Sequence, residues 1–311
     1  MVAEEFNLHI KNVKKALVLG IGGGGDILGA LPTRNYLKNM SIECRMGCVA
    51  YERSQYDSKP GPRSLNEIEN VIKVNDTVAL ASDATKTSYG LEFQASGMSR
   101  FLGENTVLID ITRGVEGVRV GLEDFCRKFS VNLVVGVDVG GDVIASGYEK
   151  GLRSPLTDAI MLAALKKLSV NTIIGVFGVC CDGELKLHEI SDRLAKIYSE
   201  GGFIGAIPLS FNDIEIMREA VKYVKTEASR LPILIAEGRT GETSIRGGSR
   251  IAELTFFSIF TYYLKTDTVY KNNMMAQKIS NSKSFLEAYE ILEKIGVTTE
   301  YGLQLKRKGL F

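Results

Sequence analysis

A chain of 311 residues with 45% apolar and 24% charged side chains has the composition of a folded protein, either one large domain or two at about 150 residues each. Its 38 Lys and Arg balance 37 Asp and Glu, so no global field exists to hold a polyanion, and nucleic acid is not an expected partner. The longest apolar stretches, such as Thr172–Cys181 and Thr255–Leu264, run to about ten residues, too short for a bilayer, and the opening MVAEEFNLH has no apolar signal core, so a cytoplasmic protein with no membrane partner is expected.

In chain order, the first predicted strand is Ala16–Gly20, and a glycine turn then leads into a helix over Ile27–Leu37. Strands follow at Glu43–Tyr51, Thr77–Ala81, Thr106–Ile111 and Leu133–Asp138. Ser154-Pro155 reads as a cap with a first-turn proline, opening a helix at Leu156–Leu168. Further strands are predicted at Thr172–Val179 and Phe203–Ile207. Ile214, Met217, Val221 and Val224 form a helical stripe, and Ser284 with Glu287 forms a capping box before a helix at Phe285–Ile295. Most strands are continuous Val/Ile/Leu/Gly runs without alternation, as in parallel strands covered on both faces. The expectation is a doubly wound, mostly parallel α/β sheet in one domain spanning 1–311, with a looser C-terminal part at 236–311. Within that part, Ala236–Arg250 is a glycine-rich loop with three arginines, and the aromatic run Thr255–Leu264 is expected to be buried.

Cysteine and histidine usage narrows the chemistry. The five cysteines (Cys44, Cys48, Cys126, Cys180, Cys181) contain no CxxC, and His9 and His188 are the only histidines, so neither a zinc site nor a catalytic triad has enough members. Cys44 and Cys48 read as buried small hydrophobes on one strand face, and His188 as a surface residue of a helix.

Two turns carry acids beside glycines. In Gly20-Ile21-Gly22-Gly23-Gly24-Gly25-Asp26, Gly20, Gly22 and Gly25 satisfy GxGxxG, and the amides of Gly22, Gly23, Gly24 and Gly25 are candidates to bind a phosphate. Asp26 would repel that phosphate unless a cation lies between them or it caps the helix. Glu52, past the second strand, is a candidate ribose-binding acid, spaced too far from the glycines for ordinary NAD use. In Val137-Asp138-Val139-Gly140-Gly141-Asp142, two carboxylates four apart flank a turn in which Gly140 and Gly141 could approach a ligand. Hard oxygen ligands at this separation suit Mg2+ or Mn2+, and Asp26, Asp138 and Asp142 are the expected metal ligands. Gly-Gly-Asp followed by two apolar residues occurs in both turns, which suggests that Asp26 and Asp142 point at one another. Asp110, Asp158 and Asp182 are expected on the same sheet edge, with Asp110 or Asp158 as the proton-transfer group. Arg239, Arg246 and Arg250, with Arg53, Arg63 and Arg113, are candidates to grip an anion, or else to pair with these acids. Closure of the two arginine-bearing loops over a ligand is a further expectation.

The segments GIGGGGDILGA (20–30), GPRS (61–64), VDVGGDVIASGYEKGLRSPLTDAIMLAAL (137–165), DGEL (182–185) and IRGG (245–248) together resemble an archaeal and bacterial domain-of-unknown-function family, number 1152, nearly end to end. The 137–165 stretch is the specific part. The resemblance implies a Rossmann-like three-layer sandwich and brings no activity or catalytic residue. The strand–GG–acid turn is also similar, over perhaps a dozen residues, to that of the D-glutamate cyclase domain, an acidic-residue hydro-lyase; the turn here has Gly-Gly-Asp where that domain has Gly-Gly-Asn.

The reading is a metal-assisted enzyme on a small anionic metabolite, phosphorylated or carboxylate, bound at the carboxyl edge of the sheet, with lyase, hydrolase and phosphotransferase chemistry all open. A non-catalytic nucleotide or metabolite sensor is the alternative, and a pyridine-nucleotide dehydrogenase is a weaker one. The aromatic-rich C-terminal third is compatible with a homodimer.

Overall fold

The computed structural model describes residues 4–310. Its strands are β1 (Lys15–Gly20), β2 (Glu43–Val49), β3 (Ile68–Lys73), β4 (Val78–Thr87), β5 (Thr106–Ile109), β6 (Leu133–Val139), β7 (Asn171–Phe177), β8 (Phe203–Pro208), β9 (Gly241–Ile245), β10 (Arg250–Leu254) and β11 (Phe260–Lys265). Nine of them form one sheet in the order β3-β4-β5-β2-β1-β6-β7-β11-β8, and β9 and β10 pair as a separate hairpin. The central strands β5-β2-β1-β6-β7 are all parallel. Antiparallel pairings extend the sheet through β4 and β3 on one side and through β11 and β8 on the other. The parallel strands, taken in chain order, lie 3-2-1-4-5 across the sheet. That is the Rossmann arrangement, whose strand order reverses between β1 and β6.

The period-2 geometry of strands divides the apolar residues between two helical layers. Leu17 and Leu19 of β1, with Ile174 and Val176 of β7, pack on one face against Val118, Leu122 and Phe125 of the Gly114–Phe129 helix and against the Pro155–Lys166 helix. Ala16 and Val18, with Ile173 and Phe177, face the other layer, which holds Phe6, Leu31, Leu37 and Met98. Cys44 and Cys48 both lie in this second layer, buried and unbonded to other sulfurs. A small third cluster, Leu231, Ile235, Ile245, Ala252 and Leu254 with Cys181, seats the β9–β10 hairpin on the main body.

Several expectations need correction. The helix expected at Ile27–Leu37 is two, Asp26–Gly29 and Leu31–Asn39, because Pro32 stands in the first turn of the second and cannot continue a hydrogen-bond ladder. β3 was not anticipated, since it is an edge strand whose first residue alone is buried, leaving no apolar signal. The Ala236–Arg250 segment is largely a hairpin, not a loop. The Thr255–Leu264 run is not uniformly buried: Thr261, Tyr263 and Leu264 are inside, whereas Phe256 and Phe257 are 61% and 51% exposed.

Candidate metal centre

The turns after β1 and β6 meet where the strand order reverses. Gly140 and Gly141 have φ of +127° and +126°, a region closed to other residues, and this folds the turn back over Asp138. Asp138 Oδ2 then accepts the amides of Gly141 and Val143 at 3.0 and 3.1 Å. A Cβ on Gly140 would stand 2.2 Å from Asp182 Cγ, so the absent side chain is what admits Asp182 from the turn after β7. On the other turn, Asp26 Oδ2 accepts the Gly22 amide at 2.9 Å and the Val139 amide at 3.4 Å, tying β1 to β6 through one carboxylate. A Cβ on Gly22 would lie 2.6 Å from Asp26 Oδ2 and 3.0 Å from Asp158 Oδ1, so the backbone passes directly beneath these acids.

Asp158 arrives on the first turn of the Pro155–Lys166 helix, which is buried nearly all round. Ser154 occupies the N-cap position but makes no capping bond, contrary to the expectation from Ser-Pro. Two remote glutamates satisfy that helix end instead. Glu184 accepts the amides of Arg153 and Ser154 at 2.6 and 2.9 Å, and Glu300 accepts those of Leu156 and Thr157 at 3.3 and 3.0 Å. Negative groups at a helix N-terminus are favoured by its dipole. Together they fix the helix end that carries Asp158.

Two groups of three carboxylates result, Asp26–Asp138–Asp158 and Asp142–Asp182–Glu184, and within each group one oxygen per residue lies within 4.8 Å of the others. All six residues are buried. Asp158 Oδ1 and Asp142 Oδ1 have no hydrogen-bond donor at all. The expected triad of Asp26, Asp138 and Asp142 is therefore divided: Asp158 takes the third place beside Asp26 and Asp138, and Asp142 joins the turn after β7. Asp110 does not join either group. Its carboxylate accepts from Leu65 N at 2.9 Å, Thr112 N at 2.7 Å and Thr112 Oγ1 at 2.6 Å, a tie between loops that leaves it a poor proton-transfer group.

Burial pushes Asp26 up to about 7 and Asp182 up to about 6. Burial, reinforced by neighbouring carboxylates, holds Asp138, Asp142 and Asp158 well above the usual range. The sign follows directly. In the metal-free protein the folded state binds more protons than the unfolded chain between about pH 4 and about pH 7, so stability falls as pH rises through that window. Denaturant unfolding in EDTA from pH 5 to pH 8 is expected to show a loss on the order of a few kcal/mol. A flat profile would refute the clustering.

The basic residues separate into three roles. Arg246 and Arg250, on the β9–β10 hairpin, both converge on Glu184 Oε1, Arg246 Nη1 at 3.5 Å and Arg250 Nη1 in closer contact. Arg246 also has φ of +54° and donates its amide to Glu227 at 3.0 Å, and its Nε is buried without an acceptor. Arg53 is half-buried, and its Nη1 likewise lacks an acceptor. Its charge acts on Asp26, drawing that carboxyl's proton affinity down. The remaining three stand elsewhere. Arg63 is enclosed by its own loop, Arg113 pairs with Asp76 on the surface at 2.6 Å, and Arg239 is exposed.

The glycine amides are partly committed: Gly22 to Asp26, and Gly24 to the Tyr51 carbonyl at 3.0 Å. Glu52 does stand against Gly24, but its two oxygens accept from Gln94 N at 2.8 Å and Gln94 Nε2 at 3.2 Å, and burial pushes it up to about 7. Burial similarly raises Cys180 to about 12, and His188 is exposed on the Leu187–Ser199 helix. Glu184 and Glu300 were not singled out from the sequence. Only the fold shows them closing the Asp158 helix.

An α/β protein of Rossmann strand order, with buried carboxylates where that order reverses, is the class that fold and site define. Within it, residues 17–308 match the family described as "Protein of unknown function (DUF1152)", and the chain belongs to that family. No curated protein matches it.

Proposed function

We propose that this protein is a metal-assisted enzyme acting on a small anionic metabolite at the carboxyl edge of its sheet. The observation that carries the reading is the buried trio Asp26, Asp138 and Asp158, in which Asp158 Oδ1 faces its neighbours with no donor. Isolated buried charges are too costly to keep, so such a group either takes up protons or holds a cation. All-oxygen ligation suits Mg2+ or Mn2+. The cation would polarise a substrate oxygen or activate a water. Arg53 and Arg246 supply guanidinium nitrogens without acceptors for the substrate's negative group.

The position of Asp110 favours keeping one alternative. With its oxygens taken by Leu65 and Thr112, Asp110 is a poor proton-transfer group, and Asp158, the other candidate, stands among the proposed metal ligands, so a sensor that binds the same metal and anion without turnover also suits the site. A pyridine-nucleotide dehydrogenase suits it least, because Glu52 is held by Gln94 and not presented to a ribose.

Thermal melting with Mn2+, Mg2+ or EDTA, crossed with nucleotides, sugar phosphates, inorganic phosphate and small dicarboxylates, tests the reading, since selective binding raises the melting temperature. A shift that needs both cation and anion is the expected result. Anion shifts indifferent to metal would overturn it in favour of a metal-independent binder.

A further inference from the structure

We infer that the site takes two divalent cations, not one, and that the pair selects a phosphorylated ligand over a carboxylate; this rests on the metal-assisted reading above. The second position is the Asp142–Asp182–Glu184 group, built from the turns after β6 and β7. Asp142 is 4% exposed, and its Oδ1 has no donor. Asp182 reaches it because Gly140 has no side chain. Among the described residues, no arginine or lysine forms an ion pair with Asp142 or Asp182, since Arg246 and Arg250 both reach Glu184. Two buried carboxylates thus meet with no cationic side chain bonded to either.

The two groups are coupled through Asp138, whose Oδ2 accepts the amides on both sides of Asp142, those of Gly141 and Val143. Asp138, a member of the first group, thus holds the turn that carries Asp142 of the second. Charge then identifies the ligand. Six carboxylates face the three guanidiniums of Arg53, Arg246 and Arg250. One divalent cation leaves the ionised site with a net negative charge, which repels an anion. A second removes most of that negative charge, which a phosphate dianion needs more than a carboxylate monoanion does. A phosphoryl group has oxygens enough to bridge two cations and still meet the unaccepted Arg246 Nε and Arg53 Nη1.

The test uses the full chain, Mn2+ alone, and then inorganic phosphate. Equilibrium dialysis is expected to give two Mn2+ per chain, with a spin-coupled electron paramagnetic resonance signal. Asp142→Asn should reduce the stoichiometry to one, abolish the coupling, and weaken Mn2+-dependent phosphate binding by at least about tenfold. Asp182→Asn carries the same expectation through a different turn, and far-UV circular dichroism establishes that each variant is folded. One uncoupled Mn2+ per wild-type chain, unchanged in both variants, would overturn the two-cation inference and leave the single-cation reading intact. No bound Mn2+ would overturn both. Two coupled Mn2+ with malonate bound as tightly as phosphate would overturn the choice of ligand.

Discussion

Replacing Asp158 with Asn is expected to stabilise the metal-free protein and to weaken its response to Mn2+. Asp158 is 1% exposed, has an oxygen without a donor, and lies within reach of Asp26 and Asp138. At neutral pH each of these carboxyls must stay protonated against its preference or remain charged beside like charges. An amide of the same shape removes one member of the conflict and offers donors to the other two. A gain on the order of 2 kcal/mol, several degrees in melting temperature, is the expected scale. The same exchange removes a ligand from the cation, so affinity for Mn2+ should fall by about a hundredfold or more. The two effects have opposite signs, which separates this outcome from simple damage to the fold. Melting curves of wild type and variant, each with EDTA and with excess Mn2+, give both numbers. A variant less stable in EDTA and raised by Mn2+ as fully as wild type would place the cation elsewhere.

The sequence made the two acidic turns legible but not the way they combine. VDVGG and VLGIGGGGD announce themselves because an apolar strand runs straight into glycine, and both turns lie at the carboxyl ends of adjacent parallel strands, β6 and β1. The shared Gly-Gly-Asp pattern misleads about direction. Gly25 has φ of −66° and enters a helix, whereas Gly140 and Gly141 sit at +127° and +126°, so like residues turn the chain in unlike ways. Asp26 therefore meets Asp138 and Asp158, and Asp142 meets Asp182. The second pairing also depends on β7 lying next to β6, and strand order leaves no mark in local pattern. The role of Glu300 was hidden for a related reason. It satisfies a helix end 144 residues earlier in the chain, where the local serine looked sufficient.

Removal of Arg63 is expected to be the most destabilising of the arginine substitutions. The sequence offers Arg63 as a grip for an anion or as a partner of nearby acids, and the structure buries it at 1% exposure beside Asp57. Its Nε stands 3.0 Å from Asp57 Oδ2, and its Nη2 donates to the carbonyls of Lys59, at 2.9 Å, Pro60, at 2.7 Å, and Gly61. Asp57 is itself buried, so Arg63→Met leaves a carboxylate and several carbonyls without their cation. Breaking a buried pair from one side costs about 3–5 kcal/mol. Lysine should recover only part of this, because one ammonium cannot face Asp57 and three carbonyls at once. The loop so held also carries Arg53, and Glu52 begins it against Gly24, which makes Arg63 a positioning residue for the loop beside the glycine turn. If the unpaired Asp57 carboxylate dominates the loss, Asp57→Asn combined with Arg63→Met should be more stable than Arg63→Met alone. Urea unfolding of the two single variants and the double variant measures this coupling. Strict additivity would instead assign the loss to the three uncovered carbonyls, and the loop would then be held by its turns and not by its ion pair.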